Sequence, residues 1–404
     1  MDKSRFVILG GGMVAGYAAK QLVEIGLRAG DLTIISADGE LPYERPPLSK
    51  SFLAGKDNED AIRISPAQFY KEHGINVLLR TIVASLNPGT KTLRLTNGSE
   101  AGFEKLVIAT GARVRTFDNP GSSLDGIHYL RSMDDSRRIR EHAAAAKRAV
   151  IVGAGFIGME VASVLAQKGL DTTMVLRGDR IWDQFFTPEM SRFFESYYSA
   201  RGVKFERKTG VEAFSGNQAV SSVRLAGGRH LPCDLVVAGI GVHPVTDVLA
   251  GSGIEVSDGV MVNEYLETNR ADIYAAGDVA NYNDVLFGKR RRVEHWDNAV
   301  SQGQHAARIL MGERSPFVHV PYFFSDVFDL SYEFWGDTAG ADQVITRGDL
   351  STNSFSVWWL RGSQLVAAFV MNRPDDERTA APKWIESKQS VATGELRNSS
   401  HSLA

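Results

Sequence analysis

Gly10, Gly12 and Ala15 stand directly after the apolar run Phe6–Leu9 and just ahead of an Ala-rich stretch that starts at Met13. Small residues at that spacing, between a strand and a helix, let a backbone close on a diphosphate. The first permits a tight turn, the second lets the main chain approach the phosphates, and the third lets helix and strand pack closely. The N–H groups and partial positive charge at the helix start complete an anion site. The device returns 143 residues later as Gly153, Gly155 and Gly158, after Ala149–Val152 and before the helical stretch Met159–Lys168. One such turn would carry little weight, because glycine ends many strands. Two, each in a strand–turn–helix setting, indicate two dinucleotide clefts in one chain.

The elements around these turns follow the same plan. Asp31–Ser36 reads as the second strand of the first unit. Asp38 lies at its end, where an acid takes the hydroxyls of an adenosine ribose, although in Ala37-Asp38-Gly39 it is equally a turn residue. The loop Leu41–Lys50 contains Pro42, Pro46 and Pro47, which stiffen it without needing their own N–H bonds. It carries Arg45 and Lys50, cations suited to neutralising a pyrophosphate or a reduced, anionic ring, or else solvated on a surface turn. Near the C-terminus, Phe355–Leu360 and Gln364–Val370 are strand-like runs separated by Arg361-Gly362-Ser363, a hairpin pattern.

Length and composition set the frame. A chain of 404 residues has room for two or three domains with their own cores. Hydrophobic content of 43%, charged content of 23% and a net charge of −3 are ordinary for a globular protein and give no pull toward nucleic acid or an anionic membrane. There is no apolar run of about eighteen residues, and Met1–Arg5 leads straight into a strand, so a cytoplasmic protein is expected. The single cysteine, Cys233, excludes an intrachain disulfide and any cysteine-rich metal site. Beside the apolar run Leu235–Val237, it reads as a small core residue.

Pro42-Tyr43-Glu44-Arg45-Pro46-Pro47-Leu48-Ser49-Lys50 resembles the signature loop of the FAD-dependent pyridine nucleotide-disulfide oxidoreductases, in the group of ferredoxin reductase, apoptosis-inducing factor and monodehydroascorbate reductase. The resemblance continues through Leu106–Arg113, Gly153–Glu160, Asp234–Val242, Asp272–Val279 and Arg292–Ala299, in the family's order. It implies an α/β fold with two Rossmann-like dinucleotide-binding domains, for FAD and NAD(P)H, plus a C-terminal α+β domain. The FAD domain would be discontinuous, 1–113 and 243–316, around an NAD(P)H domain at 114–242. The C-terminal domain would follow at 317–390, and 391–404 would form a polar, frayed tail.

The resemblance also implies roles. FAD, bound without a covalent link, would contact Gly10, Gly12, Ala15, Asp38, Arg45, Val83, Ala109, Arg113 and Asp278. Lys50 would stand beside flavin N5 with Glu160 holding it, and Trp296 would cover the face where flavin and nicotinamide meet. Gly153, Gly155 and Gly158 would cradle the pyridine nucleotide, with Gly239 and Gly241 lining its nicotinamide side. NADH-preferring relatives often carry an acid where Leu176 stands; here Arg177 or Arg180 would either attract a 2′-phosphate or simply be solvated at the surface, so NADH and NADPH both remain open as donors.

The acceptor is then a choice between classes. With no cysteine in the signature loop, electrons would leave FAD directly. The first expectation is hydride transfer from nicotinamide to flavin N5, then single electrons to a ferredoxin or Rieske-type iron–sulfur protein. Phe185–Tyr198 is similar to a stretch of monodehydroascorbate reductases, which keeps a radical or quinone reductase as the alternative. A slow redox sensor like apoptosis-inducing factor is a third reading. Lys289-Arg290-Arg291-Arg292 is a basic run that would dock an acidic carrier or simply be a solvated loop. The protein is expected as a monomer or homodimer.

Overall fold

The computed structural model describes residues 3–183, 186–398 and 402–403; Phe185, and the tail positions 399–401 and 404, lie outside them. The chain divides into two compact units: Met1–Glu44 with Glu59–Arg113 and His243–Phe323, and Arg45–Asn58 with Val114–Val242 and Phe324–Ala404.

The first unit is built on a parallel sheet in the order Asn76–Leu78, Leu32–Ile35, Ser4–Leu9, Glu100–Ile108, Ile273–Ala275. Strand Ser4–Leu9 sits in the middle with its last four residues buried, as a strand covered on both faces requires. Its final residue, Leu9, pairs with Ile35 on one side and Ile108 on the other. The first glycine turn therefore begins where three strand ends meet, the crevice in which open α/β sheets bind ligands. Helix Met13–Glu24 follows directly and buries Val14, Ala15, Ala18, Ala19 and Leu22. Antiparallel strands Thr92–Leu95 and Val83–Asn87 extend the sheet from Glu100–Ile108. Helix Trp296–Leu310 approaches Met13–Glu24 so closely that a Cβ on Gly303 would lie 2.8 Å from the Val14 carbonyl oxygen.

The second unit repeats the plan with Lys204–Glu206, Asp171–Val175, Arg148–Val152, Leu235–Ala238 and Ile127–Tyr129, all parallel. Val152 pairs with Val175 and with Ala238, so the second glycine turn sits at an equivalent crevice. A three-stranded antiparallel sheet, Val211–Pro232, carries Val223 and Leu225 in a small core with Cys233. The same unit contains a five-stranded sheet in the order Tyr322–Val327, Leu330–Gly336, Gln364–Met371, Ser354–Arg361, Gln343–Asp349. The expected hairpin is there: Arg361 pairs with Gln364 across Gly362 and Ser363.

Three features differ from the sequence reading. The signature-loop segment Arg45–Asn58 groups with the second unit, because Ser136 Oγ donates to the Leu48 carbonyl at 2.7 Å and Lys168 Nζ to that of Ala54 at 3.1 Å. The first unit runs on to Phe323, seven residues past the boundary drawn at 316. The polar tail is folded where described: helix Thr393–Arg397 buries Leu396, whose carbonyl accepts from Arg347 at 2.8 Å. Arg347 is itself buried against Glu377, and a buried guanidinium needs more acceptors than one carboxylate supplies.

Candidate functional site

Both glycine turns are built alike. Gly10 N donates to the Ile35 carbonyl at 2.8 Å and Ala109 N to that of Leu9 at 2.8 Å; in the second unit Gly153 N donates to Val175 at 3.0 Å and Gly239 N to Val152 at 2.8 Å. Gly10 and Gly153 take φ of +123° and +110°, and a Cβ would stand 2.1 Å from the Ala109 oxygen and 2.2 Å from the Gly239 oxygen. No L side chain fits either position. Gly158 is equally constrained, 2.2 Å from the Gly153 oxygen, whereas Gly155 is open, with only Trp182 Nε1 at 3.9 Å. Gly12 and Gly155 are the N-caps of Met13–Glu24 and Phe156–Gln167; neither helix has a side-chain cap or an acid in its first turn. The first-turn N–H groups thus face no carboxylate that would repel a phosphate. Each cradle fits the diphosphate of a dinucleotide.

Around the first turn, Asp38 accepts from Glu40 N at 3.2 Å and from the Tyr43 hydroxyl at 3.0 Å, one bond to each oxygen. That fixes the turn and leaves acceptor capacity for ribose hydroxyls. Ala109 is buried and Val83 half-buried on the edge hairpin. Gly277, which precedes Asp278, approaches the first helix so closely that a Cβ would lie 2.6 Å from the Val14 side chain. On the helix Trp296–Leu310, Gln302 Oε1 accepts from Gly277 N at 2.7 Å. Gln302 Nε2 and Asn298 Oδ1 are buried with no hydrogen-bond partner, capacity that the polar edge of a bound cofactor would use.

Trp296 opens that helix and its indole N–H donates to Glu44 Oε2 at 2.5 Å. Tyr17 donates to Glu44 Oε1 at 2.6 Å and meets the Trp296 ring edge-on at 6.4 Å. Glu44 therefore fixes two aromatic rings, a role that the sequence reading missed because a loop acid gives no sign of partners 27 and 252 residues away. His295, the N-cap, stacks on Phe323 at 5.1 Å, and burial pulls its imidazole down to about 4.

Lys50 and Glu160, 110 residues apart, come together in the second unit. Lys50 Nζ lies 2.7 Å from Glu160 Oε1 and 5.3 Å from the centre of the Phe324 ring. Glu160 is 4% exposed on helix Phe156–Gln167. Its Oε1 also accepts from Ser325 Oγ at 2.6 Å, and Oε2 accepts from Ser49 Oγ. Neither serine was singled out from sequence. Burying an ion pair is unfavourable unless its remaining hydrogen-bonding capacity is met, and here the hydroxyls meet it.

Other expected residues are placed differently. Arg113 pairs with Asp247 at 2.6 Å and donates to His243, so its charge is committed to a surface carboxylate rather than offered to the phosphates. Arg45 donates to the Arg131 carbonyl. Arg180 is spent on the Phe186 and Asp183 carbonyls and on Ser191 Oγ, while Arg177 is exposed at the end of strand Asp171–Val175. Gly241, at φ +99°, has the Arg115 side chain 3.6 Å from where a Cβ would be. In the basic run Lys289 and Arg290 are exposed, yet Arg290 donates to the Val262 and Asn281 carbonyls, Arg291 lies 2.6 Å from Asp284, and Arg292 pairs with Asp258 and Glu294. Cys233 is fully buried and its thiol is pushed up to about 12 by that burial, in keeping with a core residue. Among the described residues, no helix is long and apolar enough to cross a membrane, and no cluster of His, Cys, Asp and Glu is placed to hold a metal.

Comparison with known proteins agrees with this geometry. The family described as pyridine nucleotide-disulphide oxidoreductase matches residues 4–303, and a reductase C-terminal family matches 322–404. The chain is 36% identical to the peroxisomal monodehydroascorbate reductase 4 of Arabidopsis thaliana, over 96% of this chain and 83% of that protein. It is 37% identical to the ferredoxin reductase subunit of 5,5'-dehydrodivanillate O-demethylase from a Sphingobium strain, over 92% of this chain and 90% of that one. Among solved structures, the ferredoxin reductase for the CYP199A2 system of Rhodopseudomonas palustris superposes with a TM-score of 0.94 at 32% identity, covering 100% of this chain and 99% of that chain. The chain belongs to the pyridine nucleotide-disulphide oxidoreductase family and is an FAD- and NAD(P)H-dependent oxidoreductase with a reductase C-terminal domain.

Proposed function

We propose that this chain is a reductase that takes electrons from NADH or NADPH and delivers them to an iron–sulfur carrier of ferredoxin or Rieske type. The observation that carries the reading is the pairing of the half-buried Lys50 with the buried Glu160 in a chain whose only cysteine is sealed in a core. FAD, when bound, supplies a ring that accepts hydride and releases electrons singly. The protein's part is to place charge and exclude water. Gly10, Gly12 and Ala15 hold the diphosphate of FAD and Asp38 its ribose; Gly153, Gly155 and Gly158 hold that of the pyridine nucleotide. Lys50 brings a positive charge to the flavin, Glu160 holds that ammonium in place, and Trp296, pinned by Glu44, shields the reacting face. With no second thiol to relay electrons, the flavin itself is the donor to the acceptor. The ferredoxin reductase relatives support this acceptor class.

The similarity to a monodehydroascorbate reductase supports a second reading, in which the acceptor is a small organic radical. Steady-state assays of the FAD-loaded protein with NADH and NADPH separate the two. The account expects cytochrome c reduction that depends on added ferredoxin, with a rise of about tenfold or more over the rate without it. Ferredoxin-independent reduction of enzymatically generated monodehydroascorbate, with no ferredoxin effect, would establish the second reading instead.

A further inference from the structure

Glu160 is described above by its ion pair, yet most of its hydrogen bonding comes from hydroxyls. Lys50 Nζ and Ser325 Oγ share Oε1, and Ser49 Oγ takes Oε2, so this buried carboxylate is held by three residues from two parts of the second unit. Ser49 precedes Lys50 in the stiff loop. Ser325 comes from strand Tyr322–Val327, within the region matched by the reductase C-terminal family, and is itself fully buried. Phe324, beside it in sequence, faces the Lys50 ammonium. Two phenols also face the carboxylate, Tyr198 from helix Pro188–Ser199 and Tyr332 from strand Leu330–Gly336; burial holds both above the usual phenol range, so they stay neutral.

We propose that Ser325, with Ser49, is a positioning residue of the redox centre: its hydroxyl fixes the Glu160 carboxylate and thereby keeps the Lys50 ammonium in place, so that the C-terminal strand contributes to flavin reduction. The inference rests on the reading that Lys50 acts at the flavin. Its physical basis is that a buried ion pair needs its remaining hydrogen-bonding capacity met. Remove one of the two hydroxyls and that capacity is no longer met. The Glu160 carboxylate then loses one of the contacts that fix it, and Lys50 is aimed less well.

The test is the rate of anaerobic flavin bleaching by NADH or NADPH, measured for wild type, Ser325→Ala, Ser325→Thr and Lys50→Ala, each loaded with FAD. Ser325→Ala should bleach about tenfold more slowly than wild type; Ser325→Thr, which keeps the hydroxyl, should restore the rate. A wild-type rate in Ser325→Ala, or a loss without rescue by threonine, would overturn the proposal. Lys50→Ala separates the two ideas: slow bleaching there with a wild-type rate in Ser325→Ala removes only the role of Ser325. Wild-type bleaching in Lys50→Ala removes the underlying reading.

Discussion

At the scale of the residue, the chemistry depends on charges kept out of water with their partners supplied. Glu160 and Lys50 illustrate it in the second unit, and Glu44 with Tyr17 and Trp296 in the first. His295 is the complementary case, a titratable group held neutral by burial. Its folded value of about 4 lies below the usual 6.5, so between these values the unfolded chain binds more protons than the folded one. Stability from this residue is present above pH 6.5 and lost as pH falls through that window toward 4. His295→Gln should therefore lose less stability than wild type between these pH values, by on the order of 2 kcal/mol. Parallel denaturation curves for the two proteins at both pH values would refute it. The glycines were marked in the sequence by their spacing, whereas Lys50 and Trp296 were singled out by the resemblance of their segments to a known family. Ser49, Ser325 and Glu44 were not: a serine or a loop acid has no sequence signature until tertiary structure brings its partner within 3 Å.

At the scale of the element, the two strand–turn–helix units are copies down to their hydrogen bonds, and this part of the fold was nearly all legible. Helix Met13–Glu24 begins and ends where the apolar pattern says, and the second helix begins at Phe156, three residues before the expected Met159, because the glycine turn itself supplies its first turn. The basic run illustrates the opposite. Four consecutive cations read as a solvated or docking loop, yet backbone carbonyls and carboxylates of neighbouring strands take up Arg290, Arg291 and Arg292, contacts that charge patterning along one segment cannot reveal. The equivalence of the two turns allows a selective test. Gly153→Ala forces a left-handed φ on alanine, at a cost of about 1–3 kcal/mol, and drives its Cβ into the Gly239 carbonyl. FAD content should stay at the wild-type level while the apparent Kd for NADH and NADPH rises by about tenfold or more. Loss of FAD with unchanged pyridine nucleotide binding would mean the two turns have been assigned to the wrong cofactors.

At the scale of the whole molecule, the sequence reading and the structure agree on two nucleotide-binding sheets and an antiparallel C-terminal sheet, and differ on how the chain is shared between them. The signature loop and the C-terminal sheet belong with the second unit, and the helix Thr393–Arg397 is tied to that sheet through Arg347, itself paired with Glu377. Composition concealed this, since a short polar terminus looks the same whether frayed or held by its own backbone carbonyls. The consequence for function is that the C-terminal region supplies Ser325 to the carboxylate behind Lys50, and is no mere appendage. The central claim, passage of electrons from a pyridine nucleotide through FAD to an iron–sulfur carrier, is tested most directly by anaerobic stopped-flow of the FAD-loaded protein. The flavin is first bleached with NADH or NADPH, then mixed with oxidised ferredoxin, monodehydroascorbate or a quinone. The account predicts fast bleaching followed by fast flavin reoxidation on mixing with ferredoxin; fast bleaching that only the small oxidants reverse would contradict it.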